Sequence, residues 1–395
     1  MGFGVLLASD DKLLGDDLIS CLVEVRVEQS LNQPTRWAVR FLDDISVKTG
    51  QPTIANAPQL QPGKMLTIAV PDGNGVTVLV RGPIEEIDCN VTLGGPGSWV
   101  QYGGRDRRGF LDRVVETKVW ESAASKAVKT ILSHHGFKTA VEPTKETYST
   151  KRTTLNQRAS DLQFVTACAR RNNKCFWITY EGRTTGNRLR VEETAHVESS
   201  PPRGQDAEVG APFDLQQLPL SQEGVVLKLN VPASDCQTVT AFNINVDLEA
   251  TNTFKVNAQS WSGKKQPRAG TDPQADLNDG GEGALAFSQG ERNVRPVGAG
   301  DASELGPLGE AIVTEAGWFV KATLSTSAHM AGGVIQAHDI VPLVGVSQAH
   351  DGKFQVSSVT HVINAADHMM DVAIRRNSVN KPTRLATNLQ MTGVA

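Results

Sequence analysis

The sequence predicts a mostly β protein of the α+β class, with two similar antiparallel β-barrel modules flanking an α+β module. Three observations carry this. Near the C-terminal end, Asp351-Gly352 precedes two apolar strands over 354–364 and 368–377, with Val356, Val359 and Val362 beside His361. Residues 63–89, GKMLTIAVPDGNGVTVLVRGPIEEIDC, repeat that order of strand, Asp-Gly turn and two further strands. Between the two stretches the apolar period changes from two to that of a helix. The 36 glycines and 19 prolines supply the turns a strand-rich chain needs.

The first module starts with 19–28, where Ile19, Cys21, Val23, Val25 and Val27 alternate with polar residues and only Leu22 breaks the pattern. Asn32-Gln33-Pro34 turns the chain and 37–42 returns as a second strand. A Pro-containing connection, 51–62, leads to strands at 65–70, 76–81, 84–89 and 100–104. One antiparallel barrel accounts for all of them.

In the middle, 122–135 reads as a helix capped by Ser122, with Ala124, Val128, Ile131 and Leu132 on one stripe and Gly136 as its stop. A second helix opens at Ser160, with Gln163 at capping-box spacing and Leu162, Val165, Cys168 and Ala169 on its buried stripe. Residues 174–180 and 188–191 form a hairpin around Glu181-Gly182. The stretch 196–224, with four prolines, is a linker or long loop.

Strands resume at 225–231 and 238–248, where Phe242, Ile244, Val246 and Leu248 alternate with Asn243, Asn245 and Asp247. Residues 262–300, rich in glycine, form a mobile excursion by composition. A helix at 303–316 carries Leu305, Leu308, Ile312 and Ala316 on one face, and Pro307 is tolerable near its first turn. Residues 318–324 re-enter the sheet. The domain reading is therefore 1–112 first barrel, 113–215 α+β module, 216–262 and 330–385 second barrel, 263–329 insert with a helix, and 386–395 tail.

At 395 residues the chain exceeds the roughly 250–300 residues a single core reaches. A net charge of −4 gives no sign of a nucleic-acid or anionic-membrane partner. The basic spots at Arg105, Arg107 and Arg108, at Arg170-Arg171 and at Arg375-Arg376 are short and read as solvated faces or ion-pair partners. Five cysteines (Cys21, Cys89, Cys168, Cys175, Cys236) without CxxC spacing read as free, mostly buried thiols of a protein folded in a reducing cytoplasm. No apolar run reaches the ~18 residues of a membrane helix, and the first ten residues lack a signal peptide's basic head.

No reaction is legible. The Gly-rich pieces 93–98 and 73–75 match no phosphate-binding loop, and 276–281 fails as a calcium loop because Gly280 and Phe287 stand where ligands belong. Adjacent His134 and His135 diverge on a helix and do not share a metal. His361 reads as a packed, hydrogen-bonded strand residue and Cys168 as a small core residue. No catalytic, cofactor-binding or metal-binding residue is assigned, and no cofactor. The rival reading is a cell-wall or polysaccharide hydrolase using Glu85, Glu86 or Asp88, a pair made unattractive because Glu85 and Glu86 face opposite sides of one strand. A second rival is a carbohydrate-binding protein presenting Trp99, Trp120, Trp261 and Trp318.

Several pieces line up with a known family. They are the strand ending in Gly104-Arg105-Asp106, followed by Phe110-Leu111-Asp112-Arg113; the helix introduced by 155–165, LNQRASDLQFV; and the closing strands with Val356, Val359, His361 and Arg376-Asn377. In order and spacing, over about 15–380, the chain resembles the tail-hub proteins of bacteriophages, of the late control protein D type, and the N-terminal hub half of VgrG proteins of contractile injection machines. The resemblance implies a structural homotrimer without turnover, in which two barrels per chain make a pseudo-sixfold ring adapting a sixfold tail tube to a threefold spike. It also implies a virion tail baseplate assembled in the host cytoplasm, with neighbours that include tube or tube-initiator, wedge and tape-measure proteins. DNA passes only as cargo, and there is no membrane insertion. The sequence ends soon after the second barrel, without the β-repeat extension of VgrG proteins or a lysozyme-like domain, so a separate central spike protein is expected.

Overall fold

A computed structural model of the chain describes residues 4–45, 50–72, 75–92, 97–144, 147–149, 154–199, 225–230, 235–247, 253–257, 268–269, 282–283, 291–294 and 302–380. The N-terminal region runs β1 (Leu6–Ser9), β2 (Lys12–Leu13), α1 (Asp16–Ile19), β3 (Leu22–Ser30), β4 (Gln33–Leu42), β5 (Met65–Asp72), β6 (Gly75–Pro83), β7 (Glu86–Asn90) and β8 (Trp99–Arg105). Ile19 belongs to the short helix rather than to the strand. The break in alternation at Leu22 has a physical cause: Leu22 pairs with Phe41 and Glu24 with Arg40, so Val23 is an extra residue. That bulge turns both Leu22 and Val25 into the core. The β3–β4 turn is made by Asn32, whose φ of 61° suits asparagine.

The middle region follows with β9 (Val115–Trp120), α2 (Ala124–His134), β10 (Lys138–Val141), β11 (Leu155–Ser160), α3 (Asp161–Arg171), β12 (Lys174–Thr185) and β13 (Arg188–Ser199). The predicted α2 stripe is buried against α3 and β10. Ser122 does not cap α2: its N-cap is Ala123, without a side-chain bond, and the Ser125 N–H donates to Thr144 Oγ1 at 3.1 Å instead. Ser160 does cap α3, its Oγ accepting from Gln163 N. Phe164 joins the buried α3 stripe and Leu162 is only half-buried.

The hairpin turn lies at Gly186-Asn187 rather than at Glu181-Gly182, since β12 and β13 pair continuously from Lys174↔Ser199 to Thr185↔Arg188. Gly182 has another role. A Cβ there would sit 2.6 Å from Val78 Cγ2, so glycine lets β12 approach β6. Residues 196–199, read as linker, are the end of β13; the rest of that stretch, 200–224, lies outside the described residues.

The C-terminal region comprises β14 (Leu227–Lys228), β15 (Ala241–Val246), four short strands β16 (Thr253–Asn257), β17 (Arg268–Ala269), β18 (Glu282–Gly283) and β19 (Glu291–Val294), then α4 (Ala302–Gly317), β20 (Val320–Ser327), α5 (Ala328–Ala331), β21 (Ile340–Val344), β22 (Gly352–Asn364), β23 (His368–Arg376) and β24 (Ser378–Val379). The calcium-like stretch 276–281 and most of the expected excursion lie outside the described residues.

Two large sheets carry the molecule, and the fold is mostly β as expected. A seven-stranded sheet has the order β10-β13-β2-β1-β5-β6 with β12 on β13, so strands read as the first barrel share it with the middle region. A ten-stranded sheet has the path β15-β20-β23-β22-β3-β4-β8-β7, with β14 and β21 attached through β22. The N- and C-terminal modules are joined edge to edge: β22 pairs with β3 from Ser358↔Ser30 to Asn364↔Glu24, so strands of both lie in one sheet. Their core is also shared, with Val25, Val27, Val39 and Phe41 in one cluster with Phe354, Val356, Val359 and Ile374. A second cluster lies under α2 and α3.

Candidate functional site, an assembly surface

The eight-strand path is one four-strand pattern used twice. The C-terminal half reads β15-β20-β23-β22 and the N-terminal half β3-β4-β8-β7, all antiparallel. In each half two earlier strands pair, and a later hairpin adds on in reverse order. The feeder strands correspond too. β6 pairs with β5 and passes through Ile84-Glu85 into β7, while β22 pairs with β21 over Gly352–Gln355, with β23 from Gln355 on, and with β3 only beyond a bulge at Val356/Ser358. The likeness of 63–89 to the C-terminal meander is therefore topological. The halves stand head to tail: the last strand of one, β22, pairs with the first strand of the other, β3.

This leaves β7 and β15 as the outer edges of the path. β7 is exposed along its whole length, and Ile87, on the side that faces Tyr102, is 42% exposed. On β15, Phe242 and Ile244 pack partly on the core while Asn243, Asn245 and Val246 are exposed. Among the described residues no further strand pairs with β7 or β15, so each edge presents a row of backbone N–H and C=O groups that another strand can pair with.

One face of the path is polar in both halves, but not alike. The N-terminal half shows Glu24, Arg26, Glu28, Arg36, Arg40, Glu86, Asp88 and Arg105, with ion pairs Arg26–Glu28 at 2.8 Å and Arg105–Glu85 at 3.1 Å. Of these, Arg26, Glu28, Arg36, Glu85, Glu86 and Arg105 border a hollow of about 520 Å³. The matching hollow of the C-terminal half, about 390 Å³, is lined by Asn243, Thr323, Ser325, Ser358 and Asp371. One is lined mainly by charges, the other by hydroxyls and an amide around the single carboxylate of Asp371.

Buried polar groups fix the halves to the middle region. Asp106 accepts from Thr35 N at 2.7 Å, Arg108 N at 2.9 Å and the Arg108 guanidinium at 2.6 Å, and Arg108 donates to Phe176 O on β12. Both charges are almost fully buried and hydrogen-bonded, the condition under which such a pair is tolerated. On the other side, His338 stacks on Trp177 at 4.1 Å, with both ring nitrogens buried and without hydrogen-bond partners among the described residues. Burial holds its imidazole well below the usual histidine range, and Arg108, Arg375 and His196 reinforce this. Gln29 ties the two regions, donating to Leu79 O and accepting from Ala337 N.

The residues singled out in sequence fall as follows. Glu85 precedes β7 and is engaged by Arg105 and Arg113, so the alternation argument does not apply: Glu85 and Glu86 border the same hollow. Asp88 is exposed on the edge strand. Trp99 lies under Arg40, Trp120 stacks on Phe164 and Trp318 is buried, so these three make no exposed aromatic platform; Trp261 lies outside the described residues. His361 is buried and shares a hydrogen bond with His368 at 3.0 Å. Burial depresses both imidazoles, His368 to about 4.

Cys168 is a core residue whose thiol is pushed up to about 12 by burial. Only Cys168 and Cys175 are buried among the five thiols; Cys89 and Cys236 are exposed. His135 pairs with Asp161 at 2.8 Å, and its ring meets that of His134 edge-on at 5.8 Å. Among the described residues no cluster of three or more ligating side chains could hold a metal, and no helix is long and apolar enough to cross a membrane. Sequence reasoning missed β9, whose Val115 and Val119 are exposed, because six residues with apolar side chains facing solvent carry no burial pattern.

No protein-family model matches the chain, and no curated protein sequence does. Solved structures do. The 43 kDa tail protein of prophage MuSo2 from Shewanella oneidensis aligns with a TM-score of 0.59 and 10% identity, over 95% of this chain and 99% of that one. The tail protein from Neisseria meningitidis MC58 aligns at 0.58 and 12% identity, over 95% and 96%. A chain of the Francisella PdpA-VgrG complex aligns at 0.51 and 9% identity, over 96% of this chain but only 53% of its own. The chain thus has the fold of phage tail proteins and of a VgrG complex component, as the sequence resemblance implied.

Proposed function

We propose that the chain is the structural hub of a phage-type tail baseplate, without turnover, and that three copies close into a ring. The observation that carries this is the head-to-tail repeat. β22 of one half pairs with β3 of the next half inside the chain, so β7, which occupies the place of β22, is the natural partner of β15 of the next copy, which occupies the place of β3. Such an interface is heterologous and closes when the rotation closes. Three chains then present six half-sheets, which fits a sixfold tube on one side and a threefold spike on the other. On this reading the chain divides at 1–112, 113–215, 216–262 with 330–385, and 263–329. Its neighbours are the tube or its initiator, a separate spike, wedge proteins and the tape-measure end, and its place is the virion tail, built in the host cytoplasm.

Native mass spectrometry of the intact chain tests the reading. A trimer is expected, and Ile87→Asp on β7 or Val246→Asp on β15 should each return it to monomers while leaving the circular dichroism spectrum unchanged. A wild-type monomer at tens of micromolar would defeat it.

A further inference from the structure

Two joints hold the middle region, and they are built differently. Toward the N-terminal half it shares the seven-stranded sheet, Glu193 of β13 takes both Arg81 at 3.3 Å and Arg107 at 2.8 Å, and Arg108 donates to Phe176 O. Toward the C-terminal half the contacts include the Trp177–His338 stack, a bond from Asn173 Nδ2 to Thr314 Oγ1 at 2.9 Å, and Arg375 beside the Cys175 thiol. His338 lies in the connection 332–339 between α5 and β21. That connection is itself fastened to the long sheet: His338 N donates to Val356 O, Val356 N to Asp339 O, and Ala337 N to Gln29 Oε1.

A histidine fills this slot at a cost. Its φ of 85° is one that residues other than glycine rarely adopt, and among the described residues neither buried ring nitrogen has a hydrogen-bond partner. Phenylalanine would make the same stack without leaving two polar atoms unpaired, so what the histidine adds is a place for a proton. Trp177 also stacks with its cross-strand neighbour His196, at 5.1 Å. The charged and titratable groups that act on His338 are Arg108 from the 107–112 turn, Arg375 from β23 and His196 from β13, and all three oppose a positive imidazole. The carboxylates of these surroundings are engaged elsewhere. Asp106 accepts from Arg108 and Thr35 N, Glu198 pairs with His196, Glu315 stands beside Arg375, and Asp339 accepts from Gln336 N.

We propose that the Trp177–His338 stack is a proton-operated latch: in acid the connection 332–339 leaves the middle region, while the joint to the N-terminal half and the β22–β3 pairing hold. Closed, the imidazole is buried and neutral, held well below the histidine range by desolvation and by the cations beside it. Open, it meets water and takes up a proton at the ordinary value of about 6.5. Opening is therefore favoured roughly tenfold per pH unit below about 6.5 and is unaffected by pH above it. One proton drives this local step. Unfolding of the whole sheet is a different event, because it also exposes His361 and His368. The latch needs only a single chain, so it does not depend on the hub reading.

Amide hydrogen exchange on the full chain from pH 7.5 to 5, corrected for the pH dependence of the chemical exchange rate, tests the latch. The opening constant at 336–340 should rise about thirtyfold over that range, with the slope of one proton. Residues 359–363, in the β22–β3 pairing, should stay the better protected segment at every pH. His338→Phe, and independently His338→Gln, should make the opening constant at 336–340 independent of pH. A flat wild-type profile at 336–340, loss of protection there and at 359–363 together, or the same rise in both variants would each overturn the proposal. The last result would assign the proton to another group, His196 first among them.

Discussion

The two half-sheets share a strand order and differ in almost every contact that holds them. The N-terminal half is anchored to the middle region by a buried ion pair, Asp106–Arg108, and wears charges on its open face. The C-terminal half is anchored by an uncharged imidazole stacked on Trp177, and its hollow is lined mostly by hydroxyls and an amide, with Asp371 as the one carboxylate. The difference teaches that topology, not side-chain chemistry, is what repeats in this chain. Backbone pairing needs only alternation and a free edge, whereas each half has its own neighbours to satisfy.

The largest expected effect breaks the N-terminal anchor. Arg108→Ala leaves Asp106 as an uncompensated buried charge and should lower unfolding free energy by about 3–5 kcal/mol, read by denaturant titration. His338→Phe should cost far less, because the stack on Trp177 survives and no hydrogen bond is lost. Near-equal losses would erase the contrast between the anchors.

Acid sharpens it next. His338, His361 and His368 are all held neutral by burial in the C-terminal region. Above the unfolded value near 6.5 they are neutral in both states and contribute no pH dependence. Below it the unfolded chain takes up protons that the fold refuses, so stability falls by about 1.4 kcal/mol per pH unit for each such histidine. For His368 the loss runs from about 6.5 down to about 4 and then levels off. Thermal melts from pH 7.5 to 4.5 should show this fall, and His361→Leu with His368→Leu should make it shallower, leaving the share of His338.

Smaller still is the strain at a strand crossing. Gly82→Ala puts a Cβ within 1.9 Å of Arg105 O, so β6 and β8 must part, at a cost of about 1–3 kcal/mol. The smallest change is expected on the open face: Arg26→Gln with Glu28→Gln removes an exposed pair worth well under 1 kcal/mol.

The two helices of the middle region, the strands with clean alternation and the likeness of the two meanders were legible in the residues. What was not legible depends on distant partners. Gly182 looks like a turn residue until β6 is seen beside it. Leu22 looks like an error of pattern until the bulge opposite Arg40 is known. β9 has no alternating burial to read, and the pairing of β22 with β3 joins segments more than three hundred residues apart, for which no local pattern exists. The edge strands that form the candidate surface were seen as strands, but their being edges is a property of the sheet alone.

Amide hydrogen exchange at 86–90 and 241–246, followed as the chain is diluted, tests ring closure most directly. The account predicts slow exchange in both segments at concentrations where the trimer forms, lost in parallel on dilution. Fast exchange in either segment within an intact trimer would contradict it.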